Sequence, residues 1–315
     1  KWQIEKIIQK DDILTLQLSI HSKLKTIADI PRGEIAKLSM KRHDEIPEIT
    51  DGFKPLKTCR AEITLFKEIK VTKDRAPHYS GVTFTYDSQV LLTDNNNKIC
   101  YLLNSLFNVI ASLVFPCGPF DVCMIQETVV AVSLPKHKSL HILSLKDESI
   151  KPIKKIPTRH NCYGIVAYSA DEMIVSGPCG DGKKYFWSLI TLNGNEKSYH
   201  EFDGKDKSQT YMALNAFKTH LYISVYSENS LHCFSLDGQK YFTFKHDNVV
   251  FPQGVAIDRD DNLYLAAYLK IFQISPDGSL VQIVVKEREN RVVGICFDKN
   301  GERFVVTKFC EKEIG

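Results

Sequence analysis

One segment, Val249–Val285, limits the folds open to this chain more than any other. Three short runs, Gly254–Ile257, Leu263–Ala266 and Ile271–Ile274, are rich in β-branched and aromatic residues and are bounded by Asp, Asn and Gly. That is the composition of strands cut by turns. Asp277-Gly278 then leads into a fourth run, and Asp-Gly between two such runs is a strong hairpin signal. A four-stranded meander cannot bury both of its faces alone, so it must stack on copies of itself.

The copies are present. A small or turn-competent residue followed by an aliphatic one opens each unit at Gly81, Asp121, Gly164, Ala213, Gly254 and Gly294, at steps of 40, 43, 49, 41 and 40 residues. A second run follows each anchor: Val90-Leu91-Leu92, Val129-Val130-Ala131, Met173-Ile174-Val175, Leu221-Tyr222-Ile223, Leu263-Tyr264-Leu265 and Phe304-Val305-Val306. A period of about 40 residues with four strands per unit is the signature of a β-propeller. Six anchors predict an all-β, six-bladed β-propeller over residues 61–315.

The ends are read differently. Residues 1–30 hold no glycine, and Ile13, Leu16, Ile20, Leu24 and Ile27 are spaced 3 or 4 apart, which predicts an α-helix. That helix is either the end of a dimerising coiled coil or a helix packed on the propeller. Pro31, Gly33, Pro47, Gly52 and Pro55 make residues 31–60 a linker or cap. Ala61–Val71 reads as a strand without an anchor, expected to close the ring as the outer strand of the last blade. The third strand of that blade is expected near Glu313, so the chain reads as an excerpt of something longer, possessing an incomplete or irregular last blade.

Composition narrows the function. No apolar run approaches the roughly 20 residues that span a bilayer, and no signal peptide is visible. Nine scattered cysteines, an odd number without CxxC spacing, point to thiols in a reducing, cytoplasmic setting without a zinc site. Residues 1–60 carry 12 Lys and Arg against 9 Asp and Glu, leaving 29 of each in residues 61–315. A balanced propeller has no general attraction for phosphates.

No catalytic motif appears: no GxSxG, no phosphate-binding glycine loop, no HExxH. His137 and His141 are four apart across a loop and a strand, where that spacing makes no metal site. Asp94–Asn97 fits a turn better than a calcium loop. Asp121, with Asn161 and Asn215, is too little acid for a channel metal, and Asp121 is expected to cap its own strand. The loops entering the inner strands should converge on one rim. They carry Tyr79, Phe120, His160, Tyr163, Tyr211, Phe251 and Arg291, with His78, Asn161 and Gln253 beside them. Aromatics with Arg and His suit a peptide or single-stranded nucleic acid; several could equally pack as core.

Pro252-Gln253-Gly254-Val255-Ala256-Ile257-Asp258, followed by Asn262-Leu263-Tyr264-Leu265, resembles the NHL-type propeller (of the NHL/TolB-like class) of tripartite-motif proteins, especially divergent invertebrate members. The resemblance implies a parent with RING and B-box zinc modules, a coiled-coil homodimer and a propeller that recruits substrates for a ubiquitin ligase. The zinc modules are absent from this sequence, so the chain is expected to be non-catalytic, without cofactor or metal, and to bind a protein partner. RNA binding through Lys151, Lys154, Lys155, Arg159 and Arg291 is the first alternative. A calcium-dependent lactonase- or esterase-like hydrolase is the second.

Overall fold

The computed structural model describes residues 16–19, 41–42, 59–60, 76–287, 290–301 and 303–309. Two short pieces precede the repeats: β1 (Leu16–Ser19), and β2 (Lys41–Arg42) paired with β3 (Cys59–Arg60). Five four-stranded antiparallel blades follow. Blade one is β4 (Tyr79–Phe84), β5 (Val90–Asp94), β6 (Ile99–Leu103) and β7 (Val109–Val114). Blade two is β8 (Val122–Gln126), β9 (Val129–Leu134), β10 (Ser139–Lys146) and β11 (Ser149–Pro157). Blade three is β12 (Gly164–Ala167), β13 (Glu172–Pro178), β14 (Lys184–Thr191) and β15 (Glu196–Asp203). Blade four is β16 (Thr210–Leu214), β17 (Leu221–Val225), β18 (Ser230–Phe234) and β19 (Lys240–Phe244). Blade five is β20 (Pro252–Ile257), β21 (Leu263–Ala267), β22 (Lys270–Ile274) and β23 (Val281–Lys286).

The structure corrects the expectation of six blades preceded by a helix. The unit opening at Gly294 contributes two strands, β24 (Arg291–Phe297) and β25 (Arg303–Phe309), and its third strand is β1. The ring therefore holds five complete blades and one three-stranded sheet. No α-helix occurs among the described residues; single 3-10 turns at Pro135–His137 and Tyr226–Glu228 are the nearest approach. Leu16-Gln17-Leu18-Ser19 alternates apolar and polar residues as well as fitting the helical spacing. The edge of β25 decides between them, because a strand can pair its row of free N–H and C=O groups in register and a helix cannot. The expected closing strand, 61–71, lies outside the described residues, as do the rest of 1–30, most of 31–60, and Glu313.

Second strands are buried on both faces because a neighbouring sheet covers each one. Leu91 faces blade two while Val90 and Leu92 face the three-stranded sheet, the alternation a strand imposes. Outer strands alternate instead: β7 reads exposed and half-buried in turn. Between the third and fourth strands of all five blades the register slips by one residue, leaving Ile110, Ile153, Lys197, Tyr241 and Val284 as the extra residue of a bulge.

A belt of hydroxyls joins the blades near the axis. Thr93 accepts from the Gly81 N–H (2.8 Å) and donates to the Phe120 carbonyl of the next blade (2.7 Å). Ser133 accepts from the Asp121 N–H and donates to the Tyr163 carbonyl. Ser224 donates to the Gln253 carbonyl, and Thr307 donates to the Tyr79 carbonyl, closing the ring. The inner strands approach so closely that a Cβ on Gly254 would meet the Val293 carbonyl at 2.5 Å. This geometry moves one anchor: Tyr211, paired with Ser224, occupies in blade four the place Gly81 holds opposite Thr93 in blade one. Ala213 is two residues late. Cys100, Cys117, Cys123, Cys162, Cys179, Cys233 and Cys296 are free, and all but Cys296 are buried. No helix among the described residues is long and apolar enough to cross a membrane.

Candidate functional site

In such a ring the links between blades and the turns between second and third strands open on one face. The expected rim residues enter from that side, but they do not form one surface; they divide among four places. Tyr79 is buried between blade one and the three-stranded sheet, edge-on to Tyr101. Neither hydroxyl has a hydrogen-bond partner among the described residues. Burial and the nearby Asp94 carboxylate hold both hydroxyls above the ordinary tyrosine range, Tyr101 at about 12.

Phe120, Tyr163 and Tyr211 meet at the ring's centre. Phe120 lies edge-on to Tyr163 with centroids 4.9 Å apart, and 5.0 Å from Tyr211. The cluster they join draws Val255 and Val293 from two further inner strands. Three blades thus send an aromatic side chain inward and fill the channel. Beside this plug, Asp121 accepts from the N–H groups of Val122 (2.9 Å) and Ile165 (3.1 Å). It therefore caps its own strand, as expected, and also ties blade two to blade three. Burial raises its carboxyl to about 7, although those two N–H groups oppose the shift.

His160 stands between blades two and three. Its Nε2 is 3.1 Å from the hydroxyl of Tyr199, whose ring lies beneath Arg159 with 4.9 Å to the centroid. Tyr199 also donates to Glu201. Burial lowers the His160 pKa first, with Arg159 and Lys138 adding to it. The adjacent Cys179 thiol is pushed up by burial, which disfavours the reactive thiolate.

The fourth place is the one that reaches the surface. Phe251 is 39% exposed and stacks on Tyr226, with centroids 5.0 Å apart. The Arg291 guanidinium lies 5.1 Å from the Tyr268 ring centroid and 5.9 Å from that of Phe251, within cation–π range. Its Nη1 is 3.4 Å from the Tyr226 hydroxyl. Phe251 and Tyr268 both hold left-handed backbone, φ 51°, which costs a bulky side chain free energy. The Phe251 N–H donates to Asn229 Oδ1 at 2.7 Å, which helps fix that conformation. Tyr226 and Tyr268 lie outside the loops entering the inner strands, to which the sequence assigns the rim. Both follow a second-strand run directly, which is the signal that places them on the same face.

Other candidates resolve into structure. Asp94 Oδ1 accepts from the N–H groups of His78 and Asn97, an ordinary turn. Asn215 Oδ1 accepts from the N–H groups of Thr219 and His220, at the opposite end of blade four. His78 packs on Phe309, and burial lowers it to about 4. Gln253 is buried, and the Asn161 carbonyl is pressed against Gly177. His137 lies on a 3-10 turn and His141 on β10. A shallow cleft of about 360 Å3 on the opposite face is lined by Tyr86, Met124–Gln126 and Ala167–Ala170. It presents no carboxylate, imidazole or thiol. Among the described residues no three His, Cys, Asp or Glu side chains converge on a point where a metal could sit.

No family model and no curated protein sequence matches the chain, so the resemblance to tripartite-motif proteins finds no counterpart there. Solved structures do match. A catalytically inactive virginiamycin B lyase from Staphylococcus aureus with quinupristin superposes at a TM-score of 0.55 and 13% identity, over 76% of this chain and 97% of that one. The Cps50 (Swd1) β-propeller domain of Myceliophteria thermophila gives 0.56 at 10% identity, over 77% and 86%. A luciferin-regenerating enzyme gives 0.58 at 12% identity, over 75% and 92%. At these identities the likeness is one of fold: the chain is a β-propeller.

Proposed function

We propose that the chain is a non-catalytic interaction propeller, and that its partner protein contacts the Tyr226, Phe251, Tyr268 and Arg291 patch. The observation that carries this reading is the patch itself: an exposed aromatic ring held in strained backbone beside a half-buried arginine. Aromatics and arginine anchor protein interfaces, and strain of this kind concentrates at working sites. The plugged channel supports the same reading against a hydrolase, whose substrate and metal would need that space. The structural neighbours include a lyase and a luciferin-regenerating enzyme beside the Cps50 (Swd1) β-propeller domain. Fold alone does not choose between them. The finer reading, a substrate-recruiting propeller of a tripartite-motif-like ubiquitin ligase, rests on the 252–265 motif.

The test is affinity capture on the full chain, with nuclease, comparing wild type with Phe251→Ala and Arg291→Ala. A protein recovered by wild type, lost in both variants and bound directly once purified supports the reading. Equal recovery in all three, or recovery only of RNA that nuclease removes, overturns it.

A further inference from the structure

The second blade is charged unevenly. Lys151, Lys154 and Lys155 are exposed on β11, and Lys136, Lys138 and Arg159 are exposed at the ring-face end of the same blade. Its exposed acids, Glu127, Asp147 and Glu148, all stand on the turns of the opposite face. Blade three handles charge differently: Lys184 lies 2.8 Å from Glu201, and Lys197 pairs with Glu172. No carboxylate among the described residues lies within ion-pair distance of the six blade-two cations. Among the described residues Lys154 donates to the neutral amide oxygen of Asn193, at 3.2 Å. The field of these cations reaches inside the blade. His141, lowered first by burial, is lowered further by Lys155 and His137.

An apolar group stands among these cations. Ile153 is the bulge residue of β11, lying between the pairs Ile142–Lys154 and Leu143–Pro152. A bulge re-aims its side chain, and Ile153 is 52% exposed. From Lys151 to Lys155 the strand is exposed at every residue. Pro152 and Pro157 remove N–H donors from this edge, so another strand cannot add to it regularly. Side chains must therefore carry any binding here.

We propose that this edge docks an acidic segment of a partner protein that carries an aliphatic side chain, its carboxylates meeting Lys151, Lys154 and Lys155 and its aliphatic group covering Ile153. A nucleic-acid strand fits less well. Residues 61–315 are balanced in charge, and single-stranded nucleic acid needs aromatic platforms where this edge offers an isoleucine. The surface is separate from the Phe251 patch, so the two readings can fail independently.

The test is fluorescence anisotropy on the full chain with three probes. They are a labelled peptide of Asp and Glu with a central Leu, the same peptide with Ser for Leu, and an oligouridylate of equal charge. The Leu peptide is expected to bind best, in a salt-sensitive manner. Lys151→Glu/Lys155→Glu and Ile153→Ser, both at exposed positions, should each weaken it by about tenfold or more, while Phe251→Ala should leave it unchanged. The proposal is overturned by oligouridylate binding as tightly as the Leu peptide, by indifference to Ile153→Ser, by loss in Phe251→Ala, or by no peptide binding at all.

Discussion

The hydroxyl of Tyr211, on the inner strand of blade four, donates to the carbonyl of Ser80, on the inner strand of blade one, at 3.0 Å. These two strands lie on opposite sides of the ring, so one side chain spans its centre. Tyr211 is 4% exposed and touches Phe120 on the way. Tyr211→Phe should keep the packing and lose the bond, costing about 1 kcal/mol. Tyr211→Ala should open the channel and cost roughly 3–5 kcal/mol. Urea unfolding of the two variants checks this. Equal costs would mean that the hydroxyl, not the ring, is what the channel needs.

Asp121 should make stability depend on pH. Its carboxyl titrates at about 7 in the folded chain and near 3.9 when unfolded. Between those values the folded state holds more protons, so this contribution is complete below about pH 4 and is lost as pH rises through 7. His78 and His232, lowered by burial to about 4 and about 3, act with the opposite sign between those values and about 6.5. The wild-type profile therefore mixes both effects. Its difference from Asp121→Asn isolates the carboxyl, and that difference should decline from pH 4 to pH 7 and then level off. A difference that stays flat across the range would remove Asp121 as the cause.

The repeat was legible because each blade restates two runs at fixed offsets. Each second run also closes on a small residue: Thr93, Ser133, Ser176, Ser224, Ala266 and Thr307. Five of these carry a hydroxyl that joins neighbouring blades, Ser176 through the Thr210 hydroxyl at 2.9 Å, a signal present in the sequence. The blade-four anchor was misplaced because Tyr211 is large where other blades use a small residue, and its ring escapes into the channel rather than against the neighbouring strand. The strand at Leu16–Ser19 was illegible for a different reason: it pairs with β25 almost 300 residues away, and its local spacing suits a helix as well. The rim residues share a face in sequence terms, but successive side chains at a strand entrance point in different directions. That turns Tyr79 between sheets, Phe120 and Tyr211 into the channel, and Phe251 outward.

Two glycines should respond oppositely to the same change. A Cβ on Gly254 would lie 2.5 Å from the Val293 carbonyl and 2.8 Å from the Ile295 nitrogen. Both are backbone atoms of the neighbouring inner strand and can yield only if the sheets separate. Gly254→Ala should cost about 1–3 kcal/mol or more. Gly180, in the loop after β13, has nothing within 4 Å of its Cβ position, and Gly180→Ala should be neutral or stabilising by up to about 1 kcal/mol. Thermal unfolding of both variants decides. A harmless Gly254→Ala would show that the inner strands are packed less closely than their separation here.

Phe251 should be more stable as glycine than as alanine. Its φ of 51° is unfavourable for any side chain with a Cβ, by roughly 1 kcal/mol or more, and glycine alone escapes it. Phe251→Ala keeps the strained backbone and loses the stacking on Tyr226 and the cation–π contact with Arg291. Phe251→Gly loses the same contacts and releases the strain. The gap between the two variants in unfolding free energy therefore reads the strain less the entropy that glycine adds to the unfolded chain, independent of the ring. A gap of about 1 kcal/mol in favour of glycine means that the chain gives up stability to hold an aromatic ring at its surface, as a binding residue would require. Equal stabilities would mean that the strain is no larger than the entropy glycine adds to the unfolded chain, about 0.4–1 kcal/mol, and the patch would lose its main physical sign of function.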